Sequence, residues 1–205
     1  MIKLVLYIIL FIAIIIALGT GIHLYRVAQK NQKEMNKYSS SVEADFKTGK
    51  TLVVFYSLSN KTRDIAQKIA DLTNADLYEI KTIDKIVLNS YFYVQARQQL
   101  HKKQYPAIVE DFPDFSAYDT IFVGGPVWWY APATPLLAFL DKADFKSRRV
   151  VPFSTQGSNY GSFFDDFQKM AKNAQLSDHA AFNNLSPKYD QAVQNKIINW
   201  INKIK

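Results

Sequence analysis

The chain has 205 residues, 48% of them hydrophobic, no cysteine and a formal net charge of +7. That length suits one domain of ordinary size with an appendage, and the lack of cysteine excludes disulfides, thiolate nucleophiles and cysteine-ligated metals together. Redox chemistry in such a chain needs a bound cofactor.

The first element is the run Leu4 to Tyr25, which contains no Asp, Glu, Lys or Arg. Its 22 residues, at about 1.5 Å each, extend roughly 33 Å, enough to cross a bilayer. The expected organisation is a transmembrane anchor over 1–25, a polar stem and linker over 26–50, and a folded body over 51–205. A cleaved signal sequence is the alternative for the first part, with Ala17-Leu18-Gly19 as a poor cleavage site. Lys3 precedes the run, whereas Arg26, Lys30, Lys33 and Lys37 follow it. The positive-inside rule therefore puts the body in the cytoplasm; a cleaved signal would make it secreted. The first 50 residues hold seven cations against three acids, and the body 18 against 15. So mild a bias argues against nucleic acid as a partner, and the cations beside the apolar run sit well on anionic lipid.

The body opens with TLVVFYSLSNKTRDIAQKIA, Thr51 to Ala70. Leu52 to Tyr56 form the continuous apolar run of a strand buried on both faces of a parallel sheet. A helix pattern with Ile65, Ala66, Ile69 and Leu72 on one face follows at once, and Ser57, Ser59, Asn60, Lys61 and Thr62 stand at its start. Unpaired N–H groups and the positive helix end make that corner an anion site. Ordinary capping is the plainer reading of the same residues.

Asp76 to Ile80 reads as the second strand, and Asn89 to Lys103 as a helix. Thr120 to Gly125 is the next buried strand, followed by a helix holding Leu136, Leu137, Phe139 and Leu140. Arg149 to Phe153 is another strand, Phe163 to Ala171 a helix, His179 to Phe182 a weak last strand and Gln191 to Ile204 a closing helix. Alternating strands and helices with short connections imply a parallel sheet wound on both sides.

In such a sheet, ligands bind beyond the carboxyl ends of the strands. Three loops leave strand ends there: Ser57 to Thr62, Pro126 to Pro132, and Ser154 to Gly161. The body glycines are Gly124, Gly125, Gly157 and Gly161, all at the second or third loop, where they permit close approach of backbone to a ligand or simply make turns. Trp128, Trp129 and Tyr130 stand in a row between two prolines and cannot all be buried, so at least one is expected at the surface, suited to stacking on a planar ligand.

FYSLSNKT, GGPVWWYAPATPLLAFL and STQGSNYGSFFDDF resemble the three flavin-binding loops of the flavodoxin family, in the branch whose second loop reads P-[IV]-W-W. The resemblance covers about Thr51 to Lys205, in order and at the right spacing. It implies a three-layer α/β sandwich around a five-stranded parallel sheet of order 2-1-3-4-5, and noncovalent FMN. By position, Ser57, Ser59, Asn60, Lys61 and Thr62 would hold the phosphate. Pro126, Val127, Trp128, Trp129 and Tyr130 would wrap the ring, with Trp128 or Trp129 stacking. Thr155, Gln156, Gly157, Tyr160 and Gly161 would line its other side. The family's first loop reads S-x-T-G-N-T; here Ser59, Asn60 and Lys61 replace Thr, Gly and Asn, and Asn tolerates left-handed backbone.

Other readings of this pattern fail on chemistry. Ser57 and Arg63 echo the spacing of low-molecular-weight phosphatases, whose chemistry needs a thiolate. Ser57 lacks the flanking glycines of a nucleophile elbow. Gly124-Gly125 stands where a receiver domain has aspartate, and no G-x-G-x-x-G or Walker A pattern occurs. His101 and His179 have no second ligand beside them and read as surface residues. No catalytic or metal-ligating set is expected. Three functions remain: a membrane-anchored FMN electron carrier, an FMN-dependent NAD(P)H:quinone-type oxidoreductase, and a flavin-less interaction module. A redox partner protein or quinone at the membrane suits the first two.

Overall fold

A computed structural model describes residues 2–204. The sheet assembles around β1 (Thr51–Phe55), which pairs in parallel with β2 (Asp76–Glu79) on one side and with β3 (Thr120–Trp128) on the other. β3 pairs with β5 (Asp144–Gln156), and two short strands share the far edge of β5: β6 (Lys172–Leu176) and then β7 (Ala180–Asn183). β4 (Ala131–Pro132) is a stub folded back antiparallel on β3. Without the stub, the order of the parallel strands is 2-1-3-4-5, with the fifth place divided between β6 and β7.

Helices cover both faces, giving three layers, because the strand residues alternate. Leu52, Val54 and Tyr56 point to one side, with α3 (Phe92–Lys102), α4 (Thr134–Lys142) and α5 (Phe163–Met170). Val53 and Phe55 point to the other, with α2 (Lys61–Thr73) and α6 (Asp190–Ile201). Phe139 and Phe153, one on each side, are 0% exposed, and burying a side chain of this kind contributes about 1.5–3 kcal/mol.

Several elements run longer than their sequence patterns. β3 continues past Gly125 to Trp128, so Pro126 and Val127 are strand residues rather than loop. β5 begins at Asp144 and ends at Gln156, with a register shift between Asp144 and Arg148. β6, KNAQL, is polar and lies at the sheet edge, where no alternation of apolar residues announces it. Gly124 and Gly125 serve packing: a Cβ on Gly124 would meet the Phe153 ring at 2.5 Å, and one on Gly125 would meet Leu136 at 2.9 Å.

The N-terminal element is one helix, α1 (Ile2–Asn36). Every residue from Lys3 to Arg26 is exposed, so the apolar run is not a core helix. Below it, Val27, Asn31, Glu34, Met35 and Tyr38 turn inward, the spacing that lines up one helical face. Met35 is 4% exposed and packs into the core formed by α2 and α6. Lys196 Nζ pairs with Glu34 Oε1 at 2.6 Å. After Asn36 the chain runs along α6, where Asn195 Nδ2 donates to the carbonyls of Tyr38 and Ser40 at 2.8 and 2.9 Å.

Candidate functional site

The first loop turns on Asn60, which takes the left-handed conformation at φ 63° and sits at the N-cap of α2. Ser59, Asn60 and Lys61 are exposed and Ser57 half-buried, so hydroxyls, an ammonium and the unsatisfied N–H groups of the first helical turn share one corner. Ser57 Oγ accepts from Arg63 N at 3.3 Å. Thr62 is 1% exposed and faces the interior, where its Oγ1 lies 2.7 Å from that of Thr155 on β5. That contact ties the first loop to the third.

The second loop is a two-residue hairpin. Trp128 pairs with Ala131 across β3 and β4, leaving Trp129 and Tyr130 as the turn with φ of 50° and 63°. Two positive φ values fit a type I′ turn, whose usual residues are Asn-Gly; two aromatics there are strained. Trp128 is 9% exposed and meets Phe92 and Tyr56 edge-on, with centroids at 4.8 and 5.7 Å. Trp129 and Tyr130 are 44% and 63% exposed. Trp129 Nε1 donates to the Tyr93 carbonyl at 2.7 Å, and the Arg97 guanidinium lies over its ring at 5.2 Å. The three aromatics thus divide into one core residue and two surface residues.

The third loop leaves β5 through Thr155 and Gln156, both buried, and is joined to the second. Ser162 N donates to the Tyr130 carbonyl at 2.7 Å. Gly161 has φ +56°, and a Cβ there would lie 2.3 Å from that carbonyl, so this position requires glycine. Gly157 faces open space. Ser154 Oγ donates to Gln156 Oε1 at 2.9 Å, Gln156 Nε2 to Asn183 Oδ1 at 3.1 Å, and Asn183 Nδ2 to Asn31 Oδ1 at 2.6 Å. This chain of amides reaches from the third loop to α1. Tyr160 is 41% exposed, with its ring 5.1 Å from Phe164, on which His179 stacks. Burial holds the His179 imidazole below its ordinary value, against the upward pull of Asp178 and Asp165.

All three loops therefore meet at one edge of the sheet. Pro126 and Thr155 are register partners across β3 and β5, with Val127 half-buried beside them. Tyr56 lies beneath the edge, its hydroxyl pushed up by burial and by Glu79. Sequence patterns single out neither Tyr56 nor Tyr93, Asn183 or Ser162. Tyr56 reads as a strand residue, and the others act through hydrogen bonds that leave no periodic signal. A cleft of about 910 Å³ lies beside the third loop, between Lys30, Glu34 and Tyr38 of the stem and Lys196, Trp200 and Lys203 of the last helix and tail. Among the described residues, no group of three or more His, Asp or Glu could hold a metal ion.

Comparison with known proteins identifies the architecture. Residues 50–204 match the family model described as flavodoxin. The chain belongs to the flavodoxin family. Of solved structures, a flavoprotein from Lactobacillus acidophilus NCFM in complex with FMN is 30% identical, over 65% of this chain and 93% of that one, with a TM-score of 0.59. A protein from Bacteroides uniformis is 24% identical over 77% of this chain and all of that one, with a TM-score of 0.65. One from Bacteroides eggerthii is 22% identical over 76% and 98%, with a TM-score of 0.66. The last two share the flavodoxin fold. No curated protein matches the chain.

Proposed function

We propose that the chain is a membrane-anchored flavodoxin-family electron carrier that binds FMN at the three-loop edge, in the branch marked here by Pro126-Val127-Trp128-Trp129. The observation that carries this reading is the closure of three chemically different loops into one site through the Thr62–Thr155 and Tyr130–Ser162 contacts. The family and the FMN complex of the Lactobacillus acidophilus relative support it.

The residues fit the cofactor. Ser57, Ser59, Asn60, Lys61 and the first-turn N–H groups of α2 suit a phosphate dianion. Trp129 is the candidate for stacking, since its ring stays at the surface while Trp128 belongs to the core. Gly157 and Gly161 let the third-loop backbone approach a planar edge. Bound there, FMN supplies reversible electron uptake, and the protein positions it and tunes its surroundings. Anchoring through residues 4–25, with the body on the cytoplasmic side, concentrates it near a membrane redox protein or quinone.

The test is titration of the full chain in detergent with FMN, read by quenching of flavin fluorescence, followed by anaerobic mixing with NADH and NADPH. Saturable binding without bleaching by either nucleotide is the expected result. Rapid bleaching would make the protein an FMN-dependent NAD(P)H:quinone-type oxidoreductase. No binding at saturating FMN would leave a flavin-less interaction module.

A further inference from the structure

The direction in which the stem crosses the body fixes which side of the domain meets the membrane. The contacts rise in order along the chain. The Thr48 carbonyl accepts from Thr120 Oγ1 at 2.7 Å, at the amino end of β3. The Glu43 carbonyl accepts from Asn202 Nδ2 at 2.9 Å, just past the end of α6. Tyr38 and Ser40 meet Asn195 halfway up that helix. Asn31 meets Asn183 at the carboxyl end of β7, level with Gln156. Followed toward its N-terminus, the chain climbs from the amino edge of the sheet to the carboxyl edge, and α1 continues outward from there.

Lys30, one residue beyond Asn31, lines the same cleft as Ser158 to Gly161. Tyr25, the last residue of the apolar run, is about 7.5 Å farther along the helix. Aromatics at the carboxyl edge that are at least 41% exposed include Tyr93, Trp129, Tyr130 and Tyr160. Tyr and Trp with one wet and one apolar end are the residues favoured at a bilayer interface. Arg26 and Lys30 on α1 put positive charge at the level of the headgroups, and on the body Lys61 and Arg97 lie on that side together with Asp64, Asp165 and Asp190 in the first turns of α2, α5 and α6.

We propose that the carboxyl edge of the sheet, with its three loops, rests on the anionic headgroup surface of the bilayer in which α1 is anchored. This rests on the membrane-anchor part of the reading above. The amino edge faces the aqueous phase. Electron exchange at the site is then with groups inside or bordering the membrane, and a soluble protein approaching from bulk water meets the opposite edge.

The absence of cysteine makes the test clean. Ser158→Cys, on the third loop, and Lys50→Cys, at the amino end of β1, are labelled singly with a nitroxide in the full chain. Each is reconstituted in phosphatidylglycerol vesicles containing a nickel-chelating lipid. Arg149 of β5 is level with Thr51, and the seven residue steps from there to Gln156 already separate the two positions by at least about 23 Å along the strands. The expected result is a nickel-dependent relaxation enhancement at Ser158→Cys many times that at Lys50→Cys. In the unlabelled chain, headgroup-level bromolipids should quench Trp129, a loss absent in Trp129→Phe. Equal enhancement at both positions, a larger one at Lys50→Cys, or none at either in chain that floats with the vesicles would overturn the proposal while leaving the FMN reading intact. Failure to float would overturn the anchor and this orientation together. FMN binding in detergent is measured separately, so its failure is distinguishable from both.

Discussion

The hydroxyl oxygens of Thr62 and Thr155 lie 2.7 Å apart in the interior, joining the first turn of α2 to the carboxyl end of β5. Both residues are at most 2% exposed, so truncating either one leaves a buried hydroxyl without its partner. Thr155→Val should destabilise the full chain by about 1–3 kcal/mol. Thr62→Val/Thr155→Val should cost less than the sum of the single changes, because neither hydroxyl is then stranded. Denaturant midpoints in detergent check the cycle; strict additivity would show that the contact carries no coupling.

The two tryptophans of the second loop should separate by assay. Trp128→Ala empties a site bounded by Tyr56 and Phe92 and should lower stability by about 3–5 kcal/mol. Trp129→Ala removes a half-exposed ring with its hydrogen bond to Tyr93 and its contact with Arg97 and should cost only about 1 kcal/mol of stability. It should weaken FMN binding by about tenfold, the equivalent of roughly 1.4 kcal/mol of stacking. Parallel melting curves and flavin titrations test the division.

Shortening the chain at the expected domain boundary should be harmful. A piece beginning at Thr51 lacks Met35 and strands Asn195, which is 2% exposed and has both its carbonyl partners in the stem. It also leaves Lys196 without Glu34. A piece beginning at Val27 keeps these contacts. The longer piece should be more stable by about 3 kcal/mol or more, which urea unfolding of the two would show.

His179 should give the domain a pH response. The imidazole stacks on Phe164 at 3.7 Å, and burial holds its folded value below the ordinary 6.5. The unfolded chain therefore takes up the proton first. This contribution to stability is fully present above pH 6.5 and is lost as pH falls through the folded value, levelling off below it. The proton titration of His179 should have its midpoint under 6.5, and His179→Asn should flatten the dependence of the denaturant midpoint on pH over this range.

The fold was legible where apolar periodicity is strong. Leu52 to Tyr56, Ile121 to Val123 and the helix face of Ile65, Ala66 and Ile69 all lie in the core. The three loops were legible because their residue types are unusual at strand ends, and Asn60 holds the left-handed turn expected of it. Other features carried no such signal. β6 is an edge strand of mostly polar residues. The docking face of the stem is mostly polar too, holding Asn31, Glu34 and Tyr38, so its helical spacing is hidden from any hydrophobic pattern. Gly124 and Gly125 read as strand-end glycines that open the second loop, yet their reason lies in Phe153 and Leu136, distant in sequence. The hairpin at Trp129-Tyr130 was invisible because its residues contradict ordinary turn chemistry.

That hairpin bears on how the sequence can drift. Each residue held with positive φ against its preference costs on the order of 1–3 kcal/mol, and Asn-Gly would relieve both positions at once. Selection for a durable fold alone would favour that replacement. The aromatic pair in this chain costs the fold stability, and laboratory selection for heat resistance without flavin should erase it early.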